Sequence, residues 1–355
     1  IHVVFVEEPE AHLHAQAQQV FVKKAFEALC NNKLIEDNPW LCTQLVLSTH
    51  SNHVVNELDL NCMRYFRRVM DADDKLPISK VVNLSSTFGP DKETQQFVTR
   101  YIRLTHYDIF FSDATILVEG PAEKILVPGF LSKVGMDSHY ISVIEVNGRH
   151  AHRFRKLIER LGIATLIVTD IDATETKMGV DGKETHPAVI TAKGSGYNTG
   201  NPSILDWLPE KEQIDDLLVL DDKEKLINNV RIAYQTPVKV KWNKDDDTET
   251  EICPYTFEDA LIFTNLELFR TEGLKKMGTI TTVANLLKNS NSAKELQEKI
   301  FKKLEIKGGF SKADFAISLL YNDKLIDNLI PPKYIQEGLD WIKAYLDSKE
   351  NKNGK

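Results

Sequence analysis

Apolar runs that end in acids recur along the chain. Residues 3–6 are Val-Val-Phe-Val and run into Glu7 and Glu8; residues 166–168 are Leu-Ile-Val and lead through Thr169 to Asp170 and Asp172. Both runs read as strands, and the second reads as one buried in the core. After the first run, Val20, Phe21, Ala25 and Leu29 fall near helical spacing over 16–30. "TQLVLSTHS" then supplies a second strand, so the first block reads β-α-β with a parallel pair. "MRYFRRV" and "ISKVVNL" pair as a hairpin across "MDADDKLP", and 94–111 reads as a helix with Arg100, Arg103 and His106. A second α/β block begins at Ala114, with strands "ATILVEG", "YISVIEVNG" and "IATLIVTDID" separated by helices over 122–134 and 151–161. The pattern then breaks. Residues 174–203 are rich in Gly, Thr, Asn and Lys and predict a long loop. Beyond it, 211–230 predicts a helix, "RIAYQTPVKVKW" an extended stretch, "NKDDDTETE" a solvated loop, 257–347 mainly helix and "SKENKNGK" a disordered tail.

Composition narrows the class. A chain of 355 residues has room for two or three domains, and 42% hydrophobic with 27% charged residues marks a folded globular protein. The net charge of −8 disfavours coating nucleic acid by charge alone, while leaving room for acidic clusters neutralised by metal. No apolar run approaches the roughly 18–20 residues needed to span a bilayer, so no membrane partner is expected. Cys30, Cys42, Cys62 and Cys253 form no C-x-x-C pair, so reduced thiols in a cytoplasmic protein are expected. The first residue is Ile1 and the chain opens inside a strand-like run, as a fragment of a longer protein would.

Two sets of acids carry candidate chemistry. Glu7 and Glu8 directly follow the first strand, where one acid can hold a magnesium water and the next can polarise the water attacking a γ-phosphate. His50 ends the following strand, placed to contact that phosphate. Acids and a histidine capping ordinary strand ends would be the bland alternative. In this order and spacing the segments resemble the Walker B motif and switch histidine of ABC-type ATPases, particularly the "EEPE-x-HLH" form of bacterial ATPase–nuclease fusions. No G-x-x-x-x-G-K-[ST] occurs in the chain, so nothing is expected to cradle phosphates, and the chain by itself is not expected to hydrolyse ATP.

The second set is Glu119, Glu123, Asp170 and Asp172. Glu119 ends a strand, Glu123 opens the following helix, and the D-x-D pair ends a strand of the same parallel sheet, where ligands bind at the carboxyl edge. Residues at i and i+2 of an extended segment point the same way. Four carboxylates cannot share one volume unpaired, and hard divalent cations, Mg²⁺ or Mn²⁺, are their natural partners. Two such ions could clamp the attacking and leaving oxygens of a phosphodiester.

"LVEGPAE", "VIEVNG" and "LIVTDID" resemble a Toprim domain, the metal-binding fold of topoisomerases, primases and some nucleases. With the ATPase-like segment upstream, the chain resembles the C-terminal part of a class 2 OLD-family (overcoming lysogenization defect) endonuclease, the group that includes the nuclease subunit of Gabija anti-phage systems. The resemblance implies a partial ABC-type ATPase domain over 1–90, a linker helix over 91–112, an α/β Toprim nuclease domain with a helical C-terminal part over 113–348, and a tail over 349–355. It implies a metal-dependent DNA endonuclease or nickase in anti-phage defence or DNA processing, with two divalent ions (Ca²⁺ as a substitute in a crystal) and ATP used only by the full-length protein. It further implies self-association through the ATPase region as dimer or tetramer, and a helicase-like partner. The catalytic and metal-binding acids would be Glu119, Glu123, Asp170, Asp172 and a later acid, Glu258 in "TFEDAL" with Asp259 as the alternative; Lys312 in "GGFSKADFA" would be the catalytic lysine. Ser311 with Asp314 resembles a capping box, which puts Lys312 in a first helical turn, where a cation opposes the helix dipole. Water is the expected nucleophile. The rivals are another Toprim activity, topoisomerase- or primase-like, and a non-catalytic ATPase-linked regulator.

Weaker signals remain. Arg149, Arg153 and Lys156 fall near one helical face and suit DNA phosphates, or form the solvated side of a helix whose Phe154, Leu157 and Leu161 pack on the sheet. Ser195, Asn198 and Asn201 could donate to phosphate or lie on a flexible surface loop. Trp207 reads as core, and Glu145 has no assigned role.

Overall fold

A computed structural model describes residues 2–30, 43–70, 77–105, 107–179, 182–243, 248–271, 277–305 and 309–353. The hairpin turn at 71–76, His106 and the acidic run at 244–247 lie outside the described residues. The chain divides into two compact units, residues 1–112 with 159–161, and residues 113–158 with 162–355.

In the first unit, β1 (Val3–Glu7) and β2 (Gln44–Ser48) pair in parallel, with Val3 opposite Gln44 and Glu7 opposite Ser48. Helix α1 (Ala15–Cys30) connects towards β2, and Ser51 caps the short α2 (Asn52–Val55) by accepting from His53 and Val54 N–H groups. β3 (Arg64–Met70) and β4 (Pro77–Asn83) form the expected antiparallel hairpin. Helix α3 (Lys92–Thr105) starts two residues before the stretch its periodicity indicates, because Asp91 accepts from Thr94 N–H and extends the first turn.

The second unit is built on a five-stranded sheet. β5 (Ala114–Val118), β6 (Ile141–Glu145) and β7 (Ala164–Val168) alternate with helices α4 (Pro121–Lys133) and α5 (Arg155–Leu161). β8 (Ala173–Thr174), β9 (Lys177–Met178), β10 (Glu184–Thr185) and β11 (Asn198–Thr199) are two-residue strands outside it. Helices α6 (Pro202–Asp206) and α7 (Ile214–Leu217) follow, then β12 (Leu226–Ile227) and β13 (Val230–Ala233). The order is β12-β13-β7-β5-β6, parallel except where β12 runs against β13. All five residues of β5 and of β7 are buried, as continuous apolar runs require. β14 (Val238–Lys241) and β15 (Glu249–Ile252) form a separate hairpin. The C-terminal part is helical: α8 (Phe257–Thr264), α9 (Leu266–Phe269), α10 (Gly278–Lys288), α11 (Ala293–Glu305), α12 (Lys312–Leu320), α13 (Asp323–Asn328) and α14 (Lys333–Asn353). Helix α14 lies against β7 so closely that a Cβ on Gly338 would stand 2.7 Å from Leu166 Cδ1.

Several expectations are corrected. Residues 174–203 are tied down rather than a free loop: β11 pairs with β8, and β10 with β9. The helix over 211–230 shrinks to the four residues of α7, which ends at Leu217; further along, Asp221 accepts from Lys223 and Glu224 N–H groups in an Asx-type turn. Within "NKDDDTETE", Glu249–Glu251 belong to β15. The tail is helical through Asn353.

Candidate active site

In the first unit, Glu7 is the last residue of β1, and Glu8 N–H donates to Ser48 O at 2.9 Å while holding a left-handed φ of 44°. His50 Nε2 lies 3.6 Å from Glu8 Oε1, so the strand ends bring these two predicted residues together. Both side chains are exposed, 52% for Glu8 and 82% for His50. Glu10, which the motif reading left unassigned, ties the strand ends: it accepts from Thr49 Oγ1 at 2.8 Å and His50 N–H at 2.7 Å. Partial burial pushes its carboxyl up, but these hydrogen bonds outweigh burial and hold it below the usual value.

In the second unit the carboxyl ends of β5 and β7 carry the acids. Glu119 follows β5, and Gly120 caps α4; a Cβ on that glycine would stand 3.3 Å from Glu123 Oε2. Glu119 Oε2 accepts from Thr169 Oγ1 at 2.6 Å and Asp170 N–H at 3.0 Å. One oxygen of Asp170, Oδ1, is fixed by Gln235 Nε2 at 2.6 Å and by Phe257 N–H, the first residue of α8, at 3.0 Å. The other, Oδ2, faces Lys312 Nζ at 3.2 Å. Glu258 Oε2 stands 3.3 Å from the same ammonium, so Lys312 bridges two acids brought by different elements. Lys312 opens α12 behind its Ser311 cap, as expected, but Asp314 turns to Thr279 N–H and Oγ1 instead of closing a capping box.

The two late acids stand in different surroundings. Asp259 accepts from Tyr255 and Thr256 N–H groups and caps α8, whereas the Glu258 carboxylate is fully buried beside Lys312. Asp172 departs from expectation: its φ of 49° takes it out of extended backbone, so the D-x-D pair does not share a strand face. Its carboxylate is held by Arg149 Nε at 2.8 Å and Nη2 at 3.0 Å. Arg149 itself sits in the turn after β6, outside the helix, so Arg149, Arg153 and Lys156 do not form one helical face. Arg153 lies in the 3-10 turn at Ala151–Phe154, and Lys156 is exposed on α5. Trp207 is buried, as its reading as core expects.

The cluster is electrostatically loaded. Burial, reinforced by Glu258 and Asp170, pushes the Glu123 carboxyl well up, and burial also raises Glu119 and Glu258. Asp172 is pushed up to about 8 by burial and by Glu119 and Asp170, against Arg149. Burial alone would lower the Lys312 ammonium, but Asp170, Glu258, Glu123 and Glu119 together hold it well above its ordinary value. Glu123 Oε2 and both Glu258 oxygens are buried without a hydrogen-bond partner. Among the described residues no three His, Cys, Asp or Glu side chains stand grouped as a ready-made metal site; the cations of Lys312 and Arg149 stand among the acids. Buried hard oxygen donors without hydrogen bonds nevertheless suit a divalent cation.

Sequence reading missed one buried amide and misplaced another. Gln235, just past β13, also accepts from Ile171 N–H at 2.7 Å. Asn201 is fully buried with its amide nitrogen between Glu119 and Asp172, so it is no surface donor. No periodicity marks either residue, because β13 joins the sheet beside β7 only in three dimensions.

Residues 110–172 match the family described as overcoming lysogenization defect protein-like, TOPRIM domain, and residues 1–55 match an AAA ATPase domain family. The chain is homologous to endonuclease GajA of Bacillus cereus strain HuB5-5, 28% identical over 362 residues that cover 99% of this chain and 50% of that protein. GajA of Bacillus cereus strain VD045 is 26% identical over 177 residues, 49% of this chain and 27% of that protein. The chain thus spans about half the length of the first of these relatives. Among solved structures, the C-terminal region of the Burkholderia pseudomallei OLD protein aligns with a TM-score of 0.37 and 19% identity, covering 66% of this chain and 99% of that one. The chain therefore carries an OLD-like Toprim segment behind an AAA-type ATPase segment, with a helical C-terminal part.

Proposed function

We propose that this chain is the nuclease part of a DNA endonuclease or nickase that hydrolyses phosphodiester bonds with two divalent cations, Mg²⁺ or Mn²⁺. Glu119, Glu123, Asp170, Asp172 and Glu258 would hold the cations. The observation that carries the reading is the set of buried carboxylate oxygens without hydrogen-bond partners on Glu123 and Glu258, next to Asp170 at the carboxyl end of β7. Homology to endonuclease GajA supports the same class of activity.

Bound cations would supply Lewis acidity and a water of lowered pKa. The protein groups do the rest. Thr169 and the Asp170 N–H fix one oxygen of Glu119; Gln235 and the α8 N-terminus fix one oxygen of Asp170. Such supports keep ligand carboxylates from rotating away. Lys312, about one-third exposed, holds a positive charge where a phosphate oxygen would arrive. Arg149, with 43% of its side chain exposed, would meet the DNA backbone, with Arg153 and Lys156 extending that contact.

Glu7, Glu8 and His50 would serve an ATP site only beside a phosphate-binding loop, which the 355 residues lack. In a longer protein, ATP-driven self-association would then regulate cutting, in anti-phage defence or DNA processing. The test is supercoiled plasmid incubated with the chain and Mn²⁺ or Mg²⁺. Nicked or linear product that disappears with EDTA, without protein attached to the DNA end, is expected. No cleavage with any divalent ion would favour the non-catalytic regulator, and a tyrosyl-linked end would favour a topoisomerase.

A further inference from the structure

Asn201 lies at the centre of the acid cluster yet belongs to the segment that reads from sequence as a surface loop. That segment is fastened to the D-x-D turn. Gly200 N–H donates to Asp172 O at 2.8 Å, and Thr199 Oγ1 to Ile171 O at 2.7 Å. The amide of Asn201 can face only one way: its Oδ1 accepts from Ser203 N–H at 2.9 Å, capping α6, which turns Nδ2 towards the acids. Nδ2 then has Thr169 Oγ1 and Asp170 O at 2.8 Å each, Asp172 Oδ2 at 3.1 Å and Glu119 Oε2 at 3.4 Å. Two N–H groups cannot serve four acceptors equally. The two short contacts are primary, and the two carboxylates receive the outer branches. The Thr169 contact continues: by donating to Thr169 Oγ1, Asn201 turns the threonine O–H onto Glu119.

We propose that Asn201 is a positioning residue, whose amide sets the separation and orientation of Glu119 and Asp172 for cation binding, directly and through Thr169. The inference rests on the metal-site reading given above. Capping alone does not account for the residue. Helix α6 has five residues, and serine caps as well as asparagine. What asparagine adds is a neutral donor long enough to reach two acids without contributing charge.

The experiment is calorimetric Mn²⁺ titration of the whole chain without DNA, for the wild type, Asn201→Ser and Thr169→Val. Asn201→Ser keeps a cap acceptor but is too short to reach the acids. Thr169→Val removes the hydroxyl link and leaves the cap untouched. Each variant is expected to bind Mn²⁺ about 10–100-fold more weakly, with Asn201→Ser melting close to the wild type in EDTA. Wild-type Mn²⁺ affinity in both variants overturns the role of Asn201 and leaves the metal site standing. A wild-type chain that binds no Mn²⁺ overturns the metal site, and this inference with it.

Discussion

Glu8 and Asp170 both stand just beyond the carboxyl end of a parallel strand, one in each unit. The Glu8 side chain is 52% exposed and its histidine contact is 3.6 Å long, while that of Asp170 is 4% exposed, with one oxygen fixed by two donors and the other on a lysine. The difference lies in the surroundings, since β1 and β2 form a two-stranded pair whereas β7 runs between β5 and β13. A solvated acid keeps its rotamers and its ordinary chemistry. A buried, braced one is committed to a cation or a counter-ion.

The comparison is sharpest in activity. Asp170→Ala is expected to lower plasmid cleavage by roughly 100-fold or more, the loss of several kcal/mol of charge stabilisation. Glu8→Ala is expected to leave it unchanged, and a comparable fall would remove the distinction between the two sets of acids. Next, Lys312→Ala should cut cleavage strongly while Mn²⁺ binding survives. The same substitution leaves Asp170 and Glu258 without their ammonium, so metal-free stability in urea should fall by about 1–3 kcal/mol. Mn²⁺ should then restore more stability to the variant than it adds to the wild type. Smaller again, Gly338→Ala forces a methyl against Leu166 behind β7 and should cost about 1–3 kcal/mol in the same urea measurement; no change would mean that α14 shifts freely. The smallest effect concerns an ion pair in the braced unit between the buried Arg231 and the exposed Asp222. A hydrogen bond from Arg231 holds the Asp222 carboxyl below its usual value. A depressed acid contributes stability above its unfolded pKa and loses it as pH falls through the folded one. Asp222→Asn should therefore lower stability at neutral pH by no more than about 0.5 kcal/mol, with the difference vanishing in acid.

The sequence made the sheet and most of the acids legible for a physical reason. Strands β5 and β7 are buried on both faces, so their apolar runs are unbroken and the polar residues after them stand out. Lys312 came from the family resemblance, and its cap at Ser311 made legible only its place in a first helical turn. The supports were not. Asn201 reaches the cluster through the pairing of β11 with β8, and Gln235 through β13 lying beside β7, contacts that leave no periodic trace. Asp172 misled because alternation along a strand was extended past the point where the backbone turns left-handed. The helix expected over 211–230 ends at Leu217, and further along the Asp221 side chain takes the Lys223 and Glu224 N–H groups in a turn instead of a second helical stretch. Glu258 and Asp259 are adjacent acids in one helical turn, and their different surroundings, a cap at Asp259 and a lysine at Glu258, appear only in three dimensions.

Lys312 meets Asp170 across 142 residues of sequence. A ribosome adding about 5–20 residues per second needs roughly seven to thirty seconds to cover that span. A nascent chain therefore displays its strand-borne acids long before the lysine that answers them exists. On the cleavage reading proposed above, the acid cluster gains its ammonium only once α12 has been made.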